Sequence, residues 1–216
     1  MGDFMYYIDF DNTIYETGRL TKDVLTTFAR VIAKSKKLNP NLVLDELKNS
    51  FNSTVDNFES FASGLSARYD INNDILQSHL RKIILTEGKS YVFPDALQFL
   101  KKLKEEGEYV CILTYVAQRN NLNQQALKLA GSGILKYINE VYNTTRYKFE
   151  LEIDYESGIF IDDSPRDIEG LYKAGARKII RIKKPNNVKR TSKELNLPIE
   201  IPTYTSFNDI ITEKSK

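Results

Sequence analysis

The sequence predicts an α/β protein, a mostly parallel sheet with helices on both faces, interrupted by an all-helical insertion. Three observations predict it. Short, wholly apolar runs alternate with amphipathic stretches through most of the chain, as strands joined by crossover helices require. A block from about Leu20 to Gly88 breaks that alternation after the first run, with helical spacing throughout and no strand texture. A length of 216 residues suits one core domain with a sizeable insertion.

Met5 to Ile8 is apolar and rich in Tyr and Ile without helical spacing, so it reads as a buried strand; Asp9 and Asp11 follow it. In the helical block, Val24, Leu25, Phe28, Val31 and Ile32 recur on one helix face. The same spacing marks Leu42 to Phe51, Val55 to Leu65 and Ile75 to Ile84. Breaks fall at Asn39-Pro40, Asn52-Ser53 and Asn72-Asn73, all turn or capping chemistry. Pro94 then starts a helix, and the amphipathic stretch Ala96 to Glu106 stops at Gly107. Tyr109 to Leu113 is the second strand, Arg119 to Ala130 a helix closed by Gly131, and Val141 to Thr145 the third strand. Gly158 to Ile161 is the fourth and again ends in acids, Asp162 and Asp163. Pro165 to Ala174 is a helix closed by Gly175, and Lys178 to Ile182 is the fifth strand. Tyr204 and a helix from Phe207 to Ile211 finish the chain. Such alternation implies right-handed crossovers and a Rossmann-like sheet. The expected division is a core of residues 1–15 and 90–216 around a helical domain of residues 16–89.

Composition removes several function classes. A net charge of +2 is too small to argue for nucleic acid or an anionic membrane. The aromatic-free cluster Lys183, Lys184, Lys189 and Arg190 reads as a solvated loop. No apolar run is long enough for a membrane helix, and the first residues lack the basic start of a signal peptide. A single cysteine, Cys111, excludes an internal disulfide and, inside an apolar strand, reads as core. A cytoplasmic protein is expected. His79 is the only histidine and lies in the helical block, so a Ser-His-Asp triad or a histidine-rich zinc site has no credible members.

In an open parallel sheet, ligands bind beyond the carboxyl ends of the strands. The residues just past the first four strands are Asp9 to Thr13, Thr114-Tyr115, Arg146 to Lys148, and Asp162-Asp163. Acids, a hydroxyl and a cation therefore converge on one edge. Crowded carboxylates repel each other unless a cation sits among them, and magnesium, a hard oxygen-loving ion, is the natural guest. A phosphate monoester would meet that ion, the Lys148 ammonium and the Thr114 hydroxyl, which together offset its repulsion from Asp9.

The run Tyr7-Ile8-Asp9-Phe10-Asp11-Asn12-Thr13 resembles the first motif of the haloacid-dehalogenase-like hydrolases, an apolar strand followed by D-x-D-x-T. Cys111-Ile112-Leu113-Thr114 is similar to their second motif, Lys148 to the third-motif lysine, and Ile159 to Asp167 to the fourth, with its paired aspartates. The resemblance implies that Asp9 is the nucleophile that forms an aspartyl-phosphate and that Asp11 is the acid and base. It implies magnesium held by the Asp9 carboxylate, the Asp11 carbonyl and Asp163, with Asp162 and Asp167 in support. Thr114 would bind a phosphoryl oxygen, and Lys148 would neutralise Asp9 and phosphate, although Arg146 is a second candidate for that cation. Asp11 speaks against the dehalogenases, which lack an acid there, because an alkoxide leaves badly without one. The helical block resembles the family's cap, with Gly18, Gly88 and Ser90 as hinge candidates. The expected activity is magnesium-dependent hydrolysis of a small phosphomonoester. A phosphotransferase or mutase, or a regulatory protein that keeps the fold without turnover, is the alternative. The sequence leaves oligomeric state open.

Overall fold

The structure, a computed structural model, describes residues 5–51, 57–116, 122–185 and 194–214. Among the described residues, six strands form one sheet: β1 (Met5–Ile8), β2 (Tyr109–Tyr115), β3 (Glu140–Thr144), β4 (Ile159–Asp162), β5 (Lys178–Ile182) and β6 (Thr203–Tyr204). Their order is β3-β2-β1-β4-β5-β6, and every neighbouring pair is parallel. The chain builds from β1 toward one edge, then returns with β4 on the other side of β1. The switch point between β1 and β4 is where an open α/β sheet splays its loops apart and leaves room for a ligand.

The apolar runs read as strands because both faces of the sheet are covered. Tyr7, Cys111, Leu113, Phe160 and Ile179 pack on one face with Ile168 and Leu171 of α7 (Pro165–Lys173). On the other face Tyr6 meets Phe99 of α5 (Pro94–Glu105) edge-on at 6.2 Å, and Phe99 meets Phe207 of α8 (Phe207–Lys214) at 5.0 Å. Neighbouring tyrosines of one strand thus serve opposite layers, as the two-residue period of a strand dictates. Cys111 is fully buried, and burial pushes its thiol up to about 12, so it behaves as an apolar core residue.

Contacts divide the chain into two compact units. One comprises Met1–Glu16, Val92–Val116 and Ile134–Lys216; the other comprises Thr17–Tyr91 and Ala117–Gly133. The second unit holds α1 (Thr17–Lys36), α2 (Pro40–Ser50), α3 (Phe58–Tyr69), α4 (Asn73–Arg81) and α6 (Leu122–Ser132). Its helix starts explain themselves. Asn39, Asn57 and Asn72 each accept a backbone N–H of the first turn, from Asn41, Ser60 and Asp74 respectively. Phe51 stacks on Phe58 at 5.1 Å and meets Phe61 edge-on at 4.9 Å, so these rings are packing residues.

Five expectations shift. The run Ile75 to Ile84 becomes α4 followed by a π-helical turn, Lys82–Thr86, whose wider winding puts the Ile84 carbonyl against Gly131 of α6. A Cβ at Gly131 would stand 1.9 Å from that oxygen, and one at Gly88 would stand 2.8 Å from the Gly131 carbonyl group. Gly88 is thus a close-packing glycine, and Gly18 lies inside the first turn of α1. Strand β2 runs on to Tyr115, because Thr114 and Tyr115 pair with Asn143 and Thr144 of β3. A two-residue sixth strand adds to β5. Lys184 is not solvated: it is buried, donates to Asp95 at 2.5 Å, and lies over the rings of Phe93 and Phe207. Asn52, Ser53, Val55, Arg119, Lys189 and Arg190 fall outside the described residues. Among the described residues, no helix is long and apolar enough to cross a membrane.

Candidate active site

Asp9 closes β1, and its N–H still donates to Ile161 of β4 at 2.9 Å, so the sheet itself aims its side chain. The loop behind it is tight. Ile14 and Tyr15 both donate to the Phe10 carbonyl, Phe10 stacks on Tyr15 at 4.9 Å, and Asn12 takes the left-handed conformation, φ 63°, that asparagine tolerates. Both carboxylate oxygens of Asp9 are held. Lys148 donates to Oδ1 at 2.5 Å, and the hydroxyl of Thr13 donates to Oδ2 at 3.0 Å. Asp11 sits two residues on, half-buried, in a bridge with Tyr15.

Strand β4 supplies the acids opposite. Asp162 is its last residue; one of its oxygens accepts Lys148 at 2.7 Å, and the other accepts the Ser164 N–H at 2.8 Å. Oxygens of Asp9, Asp162 and Asp163 lie within 4.8 Å of one another. Asp167, in the first turn of α7, is buried beside them, and Arg166 grips it with two bonds of 3.1 Å. Thr114 is buried near the end of β2, on the same carboxyl edge.

Among the described residues, the buried Lys148 ammonium therefore interacts with three buried carboxylates, Asp9, Asp162 and Asp167, and a fourth, Asp163, lies beside Asp9 and Asp162. Arg166, half-exposed, and Arg181, buried on β5, take up part of the remaining charge. Burial alone would lower Lys148, but Asp162 and Asp9 outweigh it and keep the ammonium charged. Burial pushes Asp162 up, against the pull of Lys148 and with a further push from Asp9, to about 7. Burial also works on Asp167, yet Lys148 and then Arg166 bring its carboxyl below the usual range. Acids stay in excess, all of them hard oxygen donors with no histidine or cysteine among them. That donor set suits magnesium and does not suit zinc.

Of the two candidate cations, Lys148 is the one that reaches Asp9; Arg146 turns away and donates to the carbonyl of Glu150. Lys148 starts a short 3₁₀ turn, Lys148–Glu150, and Tyr155 pins that turn by donating to the carbonyls of Lys148 and Leu151 at 2.9 and 2.6 Å. The sequence left two contacts unread. The bond from Thr13 to Asp9 is foreshadowed by the i, i+4 spacing within one loop. The grip of Arg166 on Asp167 has no signal beyond adjacency.

A model of the haloacid dehalogenase-like hydrolase family matches residues 7–175. No curated protein matches the chain in sequence. Solved structures of similar fold include a candidate haloacid dehalogenase-like hydrolase from Burkholderia xenovorans, at 18% identity and TM-score 0.67, covering 100% of this chain and 98% of that one. An HAD phosphatase from Thermococcus onnurineus aligns at 15% identity and TM-score 0.62, over 98% of this chain and 97% of the other. A candidate HAD-hydrolase from Bacillus subtilis, bound to magnesium, aligns at 13% identity and TM-score 0.54 over 99% of both chains. At these identities the likeness is one of fold.

Proposed function

The chain belongs to the haloacid dehalogenase-like hydrolase family, and from that premise we propose that it is a magnesium-dependent phosphatase of small phosphomonoesters. The observation that carries the reading is the environment of Asp9. A carboxylate with one oxygen on an ammonium and the other on a hydroxyl, facing two further acids, is built to meet an anion. In the proposed reaction an Asp9 oxygen attacks phosphorus and the ester P–O bond breaks. Asp11 gives its proton to the departing alkoxide. Asp11 then takes a proton from water, whose oxygen attacks phosphorus, releasing inorganic phosphate and restoring Asp9. Lys148 holds Asp9 in line and balances the charge that phosphate brings. Thr114 is assigned a phosphoryl oxygen.

Magnesium would be held by Asp9, the Asp11 carbonyl and Asp163, with Asp162 and Asp167 behind them. When bound, it supplies positive charge against the phosphoryl oxygens. The magnesium-bound relative of like fold supports this choice. The helical block between the first and second motifs is assigned the role of a cap that selects substrate and excludes water. We assign the protein to the cytoplasm and expect neither nucleic acid nor membrane as partner.

Phosphate release from an aryl phosphate, with and without magnesium, tests the reading. Magnesium-dependent turnover that Asp9→Asn abolishes is the expected result. Stable phosphorylation by a sugar bisphosphate with little release would instead mark a mutase. Silence across a broad panel of phosphometabolites would mark a regulatory protein.

A further inference from the structure

We propose that Arg166 is a positioning residue of the phosphoryl site, acting through Asp167 and braced by an aromatic column that also fixes the loop carrying Lys148. The inference rests on the phosphatase reading above and adds a part to it. Tyr115 of β2 stacks on Tyr147 at 5.1 Å with 22° between the planes, and Tyr147 stacks on Phe149 at 5.2 Å with 7° between them. The Arg166 guanidinium lies 5.0 Å from the centre of the Tyr115 ring and 4.8 Å from that of Tyr147.

Each member of the column is a chain neighbour of a site residue. Tyr115 follows Thr114, Tyr147 and Phe149 flank Lys148, and Arg166 precedes Asp167. A strand, a turn and a helix start are thus locked together just outside the acids. Stacking leaves the guanidinium few orientations, and in the one it adopts, Nε and Nη2 meet the two oxygens of Asp167 as a fork. Gly170 completes the brace. A Cβ there would stand 2.0 Å from the Phe149 ring, so only glycine lets α7 lie flat against the column. Tyr147 meets Tyr115, Phe149 and Arg166 at once, which makes the column a brace.

Lysine cannot replace arginine in this role. An ammonium neither lies flat on two rings nor bonds both carboxylate oxygens in one plane. The test is steady-state turnover of an aryl phosphate by the wild type, R166M, R166K, D167N and R166M/D167N, with melting temperatures measured alongside. R166K keeps the charge and the stem, so it reports on positioning even where R166M folds poorly. The expected result is a loss of about 10- to 100-fold in kcat for R166M and R166K, the range of outer-shell partners, with KM little changed. R166M added to D167N should cost almost nothing more, because both act through one carboxylate. R166K at wild-type kcat, or losses in R166M and D167N that multiply in the double variant, would overturn the proposal while leaving the phosphatase reading intact. A wild type inert toward every phosphomonoester would bring down both.

Discussion

Replacing Lys148 with methionine strands charge in the core of the site. The ammonium is 2.5 Å from Asp9 and 2.7 Å from Asp162, and all three side chains are at most 8% exposed. A methionine of similar length fills the space but leaves two buried carboxylates facing each other. Breaking a buried pair from one side costs about 3–5 kcal/mol. For a chain of this size each kcal/mol moves the melting temperature by about 2–4 °C, so the drop is on the order of 6–20 °C. Loss of one preorganised donor at a developing anion lowers kcat by about 10²- to 10³-fold. Differential scanning calorimetry and phosphate release read the two effects separately. Adding Asp162→Asn to K148M removes one stranded charge, so the double variant should regain part of the melting temperature and none of the turnover. A K148M protein that melts with the wild type would show that the lysine carries no such charge burden. If the double variant melted below K148M, the electrostatic reasoning would be wrong.

Other parts of the molecule give equally direct tests. Asp95 accepts Lys184, the Ser206 hydroxyl at 2.8 Å and the Phe207 N–H at 2.9 Å; burial raises it, but these bonds, Lys184 first, leave it below its usual range. A carboxyl lowered by folding contributes stability above its unfolded value of 3.8 and loses it as pH falls below that. Asp95→Asn should therefore lower the urea midpoint at pH 7 by the equivalent of about 2 kcal/mol, with the gap narrowing below about pH 4; a gap constant across pH would refute it. Gly131→Ala gains about 1 kcal/mol of helix propensity but forces a Cβ onto the Ile84 carbonyl. Overpacking at about 1–3 kcal/mol should win, so urea titration should find the variant less stable. The Cys111 thiol, pushed up to about 12, should resist iodoacetamide in the native protein at pH 8 and react once guanidinium unfolds it.

How far the sequence could be read follows from what each element is made of. Strands β1, β2 and β4 were legible because burial on both faces leaves an apolar run, and β5 was legible from Ile179, Ile180 and Ile182 although Arg181 interrupts it. In β1 and β4 an acid then marks where the sheet stops. Strand β3 was thinner evidence, since Glu140 and Asn143 interrupt it and its pairing with β2 defines it. Strand β6 has no signature of its own; two residues become a strand only because Arg181 and Ile182 lie beside them. The π turn at Lys82–Thr86 escapes periodicity because Ile83 and Ile84 fit an ordinary helix equally well until Gly131 is placed against them.

The site divides the same way. Asp9, Asp162 and Asp163 were found because strand ends in a parallel sheet must share an edge. The choice between Arg146 and Lys148 was not legible, because a loop has no period and only the 3₁₀ turn decides which cation faces inward. The column of Tyr115, Tyr147 and Phe149 joins rings from separate parts of the chain, and no local pattern announces it.

The proposed nucleophile, Asp9, can be trapped during turnover. Protein quenched during turnover of an aryl phosphate, reduced with borohydride and digested, should yield homoserine in place of Asp9, because only an acyl phosphate is reduced at that carbon. Intact aspartate at residue 9 in samples that are visibly releasing phosphate would contradict covalent transfer through this side chain.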